Sequence, residues 1–282
     1  MSEIKDLVKG IKNLMPMPAI IHQILDVVEK PDVSVGEIAD VIQYDPAITA
    51  SVLRACNSAY FGLKNPAESI KDAVSILGMD QIVEIVLMKS VSKTLSDDKK
   101  GYGLYEGAMW KYSVFSALIA KQIAKQIRLN NVNMIFTSAL LKDIGKIVLD
   151  KLVSNSFEKI SELVVNKNYS FCEAEKSIIG IDHAELGGLV AKLWKFSPKM
   201  ENIIRQHHCT DVSVIADKEI ATVYLADCIC MMTGMGVGSD GLAYRFNNQA
   251  MQTIGFKADD ITGIIAHFAQ NMHELEAFLN AV

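Results

Sequence analysis

The sequence predicts an all-α protein built as two helical lobes. Three observations carry this: apolar residues recur at helical rather than alternating spacing, Gly and Pro punctuate segments of helical length, and one run of charge and glycine, Ser96-Asp97-Asp98-Lys99-Lys100-Gly101-Tyr102-Gly103, interrupts the pattern. That run divides the chain into a first lobe of residues 1–100 and a second of residues 101–282.

In order, a short leading helix precedes Pro16-Met17-Pro18, which opens a helix from Ala19 through Val28, stopped before Pro31. Ser34 caps the next, Val35 to Ile42, and Glu37 three residues on completes a capping box. Asp45 as N-cap and Pro46 at the first helical position begin a helix running to about Cys56. Asn57-Ser58-Ala59-Tyr60-Phe61-Gly62 forms its exit, where Gly62 can take a positive φ. Ser69 to Leu77 is a short helix ended by Gly78, and Met79 to Leu95 a longer one. The second lobe reads as helices over Glu106 to Ile127, Val132 to Lys142, Ser156 to Val165, Ser170 to Ile179, Asp182 to Trp194, Pro198 to His207 and Ile220 to Met232. The glycine-rich stretch Gly234 to Gly241 lacks the Lys-Ser/Thr ending of a phosphate-binding loop and reads as a linker. A last helix from Ala258 to Leu279, apolar at Ile261, Ile264, Ile265, Phe268, Met272, Leu275 and Phe278, is expected to pack on the second lobe.

Composition bounds the function. With 50% hydrophobic residues in 282 there is ample material for a core, and a formal charge of -5 gives no global field to attract nucleic acid or anionic lipid. Apolar runs break long before the roughly 20 residues a membrane helix needs. The start, Met1-Ser2-Glu3-Ile4-Lys5-Asp6, lacks the layout of a signal peptide, so a cytoplasmic location is expected. The five cysteines, Cys56, Cys172, Cys209, Cys228 and Cys230, include no Cys-x-x-Cys pair and read as reduced core residues.

The region from Ser34 to Ser58 has a helix–turn–helix outline, but Arg54 is the one basic residue on its second helix, so a packed helix pair is preferred to a nucleic-acid reader. The chemistry-bearing residues are elsewhere. An apolar helical run ends in Lys142-Asp143 followed at once by Gly145, and buried charges require a partner, a metal or water. Tyr112, His183, His207, His208 and Asp227 are the polar residues that can converge with that pair. His208, next to His207, projects about 100° away if both are on one helix and reads as a surface or helix-end residue.

These motifs place the chain beside a known family. Tyr44-Asp45-Pro46, Asn57 to Gly62, Ile76-Leu77-Gly78, Leu140 to Lys146, Asp182 to Gly187, Trp194 and His207-His208, preceded by Leu14-Met15-Pro16-Met17-Pro18, resemble the HDOD family, the HD-related output domains, over about residues 14–227. The resemblance implies an HD-domain-like second lobe, related to metal-dependent phosphohydrolases in which His and Asp residues gather divalent metals. Tyr112 falls where the first ligand His of that pattern would be, and Lys142 where the His of the His-Asp pair would be. Asp143, His183, His207 and Asp227 still match ligand positions, and would be the ligands if a metal were bound. The expectation is a degenerate site without catalytic residues, metal or cofactor, with Lys142 supplying the positive charge. The family further implies a bacterial signal-transduction module with a protein partner or a nucleotide ligand. Candidate contact residues are Asn57, Tyr60 and Phe61. The alternative is a phosphohydrolase or phosphodiesterase with a reduced ligand set, and a nucleic-acid-binding regulator is a third reading.

Overall fold

A computed structural model of the protein describes residues 18–28, 32–208, 212–235, 238–239 and 246–282. The expected leading helix, Leu14 to Met17, Pro31, Cys209 and the middle of the glycine-rich stretch lie outside these. Among the described residues the structure is helical, with a single isolated bridge, Lys99 to Leu104, in place of any strand. The helices are α1 (Ala19–Val28), α2 (Val35–Gln43), α3 (Pro46–Cys56), α4 (Ile70–Leu77), α5 (Met79–Ser96), α6 (Ala108–Gln126), α7 (Val132–Leu141), α8 (Ile144–Lys167), α9 (Phe171–Ile179), α10 (His183–Leu193), α11 (Pro198–Arg205), α12 (Val212–Ile215), α13 (Lys218–Met232), α14 (Asn248–Ile254), α15 (Ala258–Gln270) and α16 (Met272–Ala281). A 3-10 turn covers Lys100–Tyr102. None of these helices is long and apolar enough to cross a membrane.

Two compact units emerge. The first comprises described residues up to Thr94 together with Ile265–Val282, around a core that includes Ile21, Ile24, Ile38, Ile42, Val52, Ile82 and Phe278. Its helix starts follow local chemistry: the Glu37 amide donates to Ser34 Oγ while the Glu37 carboxylate accepts from the Ser34 amide, and Asp45 Oδ1 accepts from the amides of Ala47 and Ile48. Asn57 ends α3 and clamps the loop beyond it, accepting from the Ala67 amide at 2.8 Å and donating to the Ala67 carbonyl at 3.0 Å. Tyr60 stacks on Phe278 with ring centroids 4.9 Å apart, and Phe61 meets the same ring edge-on at 5.7 Å. The three candidate contact residues are thus engaged in holding this unit together. Arg54 donates to Ser51 Oγ, and Ser51 is buried, so that face of α3 is turned to the core and not to a groove.

The expected single C-terminal helix is two, α15 and α16, separated at Asn271, whose side-chain amide donates to the His267 carbonyl. Apolar spacing continues on both sides of the break, which is why periodicity concealed it. The corollary corrects the expected packing: α16 lies against α3 in the first unit.

The second unit comprises described residues of Leu95–Ile264. Helix α6 packs on α7 and α13, while α8 packs on the 3-10 turn, α9 and α10. Helix α8 runs much longer than the expected Ser156 to Val165, because Gly145, read as a breaker, lies inside its first turn. The reason is a close crossing with α10: a Cβ added at Gly145 would come within 1.9 Å of the His183 carbonyl oxygen and 2.8 Å of the Gly187 nitrogen. Both obstacles are backbone and cannot swing aside. Gly145→Ala is therefore expected to cost at least about 2 to 3 kcal/mol in urea unfolding. A loss within about 0.5 kcal/mol of zero would contradict the crossing.

Candidate functional site

The crossing of α8 and α10 brings a cluster of charge into the centre of the second unit. Lys142 follows the last residue of α7, Asp143 is the N-cap of α8 and Lys146 lies in its first turn. His183 begins α10, capped by Asp182, and Asp227 sits midway along α13 opposite Tyr112 on α6. Lys142, Asp143, Lys146, His183, His207 and Asp227 are all buried.

Lys142 is the hub. Its ammonium forms an ion pair with Asp143 Oδ2 and another with Asp227 Oδ1 at 2.7 Å, and lies 4.5 Å from the centre of the Tyr112 ring. Tyr112 donates its hydroxyl to Asp227 Oδ1 at 2.7 Å. Burial, with the negative charge of Asp227, pushes the Tyr112 hydroxyl well above its usual range, keeping it a donor. A second ammonium, Lys146, reaches Asp143 Oδ1 at 2.9 Å. Burial alone would lower the Lys142 pKa, but Asp143 and Asp227 raise it above the ordinary value. Burial likewise works against the Asp143 carboxylate, yet Lys142, Lys146 and the two histidines hold its pKa well below the usual range.

The histidines form the other side. His207 donates Nδ1–H to the Ile204 carbonyl at 2.7 Å, which leaves Nε2 as the bare nitrogen, 3.8 Å from Asp143 Oδ1. Burial depresses its pKa to about 4, so it is neutral at pH 7. His183 Nε2 is 3.7 Å from the same oxygen, and its Nδ1 lies 2.7 Å from Glu175 Oε2. The other Glu175 oxygen accepts the Tyr102 hydroxyl at 2.5 Å. Burial lowers the His183 pKa, but Glu175 more than compensates and raises it.

The structure thus brings together Tyr112, Lys142, Asp143, His183, His207 and Asp227, and separates none of them from the cluster. Glu175, Tyr102 and Lys146 belong to it without having been anticipated. Glu175 carried a signal: it lies four residues after Phe171 and one after Ala174, on the buried face of α9, where a carboxylate needs a partner. His208 corrects the sequence reading. Helix α11 ends at Arg205, before both histidines, so His208 is not splayed away by helical geometry; it is half-buried, with Nε2 2.8 Å from His183 Nε2.

Three of these residues, Asp143, His183 and His207, have ligand atoms close enough to hold a metal. The charges nevertheless fit poorly. Two ammonium groups cover both oxygens of Asp143 and one oxygen of Asp227. A divalent ion about 4 Å from one ammonium is repelled by about 2 to 8 kcal/mol across effective dielectrics from 80 to 20. The two carboxylates and two ammoniums already sum to zero. These residues do not fit a divalent cation between Asp143 and Asp227.

Comparison with known proteins follows the same lines. The profile of the HDOD domain matches residues 14–210. A crystal structure of an HDOD domain protein of unknown function from Geobacter sulfurreducens shares 23% identity, covers 98% of each chain and has a TM-score of 0.74. A candidate phosphohydrolase of Shewanella amazonensis SB2B is 25% identical, with 98% of this chain and 97% of that one covered and a TM-score of 0.72. A candidate signal transduction protein of Marinobacter aquaeolei VT8 is 18% identical at a TM-score of 0.74, over 95% of this chain and 59% of its own. An uncharacterised protein of Treponema pallidum (strain Nichols) is 24% identical over 199 residues, 70% of this chain; the match spans 38% of that relative's length.

Proposed function

We propose, since this chain belongs to the HDOD domain family, that it is a non-enzymatic module of signal transduction that acts by binding a protein partner. A nucleotide ligand is the second occupant considered. The observation that carries this reading is the Lys142 ammonium held between Asp143 and Asp227, which supplies from the chain the positive charge that a metal supplies in related hydrolases. Without a metal there is no metal-bound water to attack a phosphoester. The bare Nε2 of His207 is the feature favouring the competing hydrolase reading, which the name of the Shewanella protein also suggests.

The two readings differ in a simple assay. The purified chain, supplied with Mg2+, Mn2+ or Co2+, is expected to leave bis(p-nitrophenyl) phosphate and nucleoside monophosphates at the background rate. Metal-dependent turnover that disappears in Asp143→Asn and Asp227→Asn would overturn the proposal and establish the hydrolase.

A further inference from the structure

One set of ligand-type side chains in the second unit plays no part in the Lys142 cluster. Cys172 lies on α9 three residues before Glu175, and His208 lies just beyond α11. Both are half-buried, while His183 between them is buried. One ligand atom from each of the three lies within 4.8 Å of the other two. Cys172 Sγ is 3.9 Å from His183 Nδ1, and the Nε2 atoms of His183 and His208 face each other at 2.8 Å.

Two imidazole nitrogens so placed must share a proton or a cation. Glu175 selects the nitrogen available: it takes Nδ1 of His183 and is itself held by Tyr102, so Nε2 of His183 is left to face His208. A carboxylate behind a histidine is the usual outer support of a metal-bound imidazole, fixing its tautomer and orientation. The ligand chemistry is also distinct from that of the Asp143 cluster. A thiolate and two imidazoles favour a borderline-soft ion, whereas a carboxylate pair suits a hard one.

We propose that Cys172, His183 and His208 form a site for one zinc-class divalent cation, bound through Cys172 Sγ and the Nε2 atoms of both histidines. Charge closes locally, because the Cys172 thiolate and Glu175 together offset the two positive charges. The carboxylates that the lysines occupy are not needed, and Lys146 is already paired with Asp143. Zn–N bonds of about 2.0 to 2.1 Å separate tetrahedral nitrogens by about 3.3 Å, so the two rings move apart by only about half an ångström on binding. Three protein ligands leave the fourth position to water or to an incoming ligand. The site neither requires nor excludes the regulatory reading, which the hydrolysis assay tests separately.

The full-length chain, stripped by chelator and titrated with Co2+, tests it. Expected is one bound ion per chain with tetrahedral visible bands and a near-ultraviolet thiolate-to-cobalt band, all displaced by Zn2+. Cys172→Ser, with Cys172→Ala as a second variant and circular dichroism to verify folding, abolishes the thiolate band and weakens binding at least about tenfold. His207→Gln, which removes a donor of the Asp143 cluster alone, keeps the band, as does Cys209→Ser. Absence of binding, bound cobalt without the thiolate band, a band that survives loss of Cys172, or one that depends on His207 or Cys209 overturns the site.

Discussion

Lys142→Met lowers the stability of the second unit by about 3 to 5 kcal/mol, the expected loss when one partner of a buried ion pair is removed and the other charges remain. Met preserves most of the length and packing of the side chain, so the effect isolates the ammonium. Two carboxylates are stranded at once: Asp143, whose remaining cation is Lys146, and Asp227, left with the Tyr112 hydroxyl as its donor. The protein offers a convenient reporter, since both tryptophans, Trp110 and Trp194, lie in the unit that contains the cluster. Tryptophan fluorescence during urea unfolding at pH 7 should show the loss, and combining Lys142→Met with Asp143→Asn and Asp227→Asn should restore much of it by removing the stranded charges. A change below about 1 kcal/mol in the single variant would mean that Lys142 does not hold the two carboxylates.

Acidification exposes the other half of the cluster. His207 has a folded pKa of about 4 against an ordinary 6.5. Its folded pKa is depressed, so its contribution is fully present above pH 6.5 and is lost as pH falls toward and through 4. The whole loss amounts to about 3 kcal/mol. His183 has the opposite sign: its raised pKa makes its contribution complete below 6.5 and removes it only as pH climbs through the folded value. It therefore does not offset the decline between pH 6.5 and 4. Below that window Asp143 and Glu175, with depressed folded pKa values, lose their contributions in turn. The unfolding midpoint should accordingly slope downward from pH 6.5 to 4 in the native chain and flatten over this range in His207→Gln. An equal slope in both proteins would place the titration elsewhere.

Helix starts were legible wherever the physics was local. Ser34 with Glu37, Ser170 with Glu173 and Asp45 with Pro46 satisfy their own backbone amides within one turn, so four residues suffice to reveal them. What depended on distant contacts was hidden. Gly145 looks like a terminator in sequence, and only the His183 carbonyl against it shows why a helix passing that point needs glycine. The cluster divides in the same way. Family resemblance located Tyr112, Lys142, Asp143, His183, His207 and Asp227, which the fold then brings within reach of one another. Tyr102 is separated from Glu175 by most of three helices, and nothing in its own surroundings announces the pairing. His208 was misjudged through one wrong helix end, since two residues of unwinding are enough to turn a side chain from one face to another.

The packing of Phe278 against Tyr60 and Phe61 bears on how the protein is made. A ribosome delivers α1 to α5 first, but the unit they belong to lacks a central ring until α16 has been synthesised. The helices of Leu95–Ile264, contiguous in sequence, can close their core earlier. The half of the protein that is born first is therefore the half that finishes last, and during that interval its apolar seat for α16 stands open to whatever else the nascent chain meets.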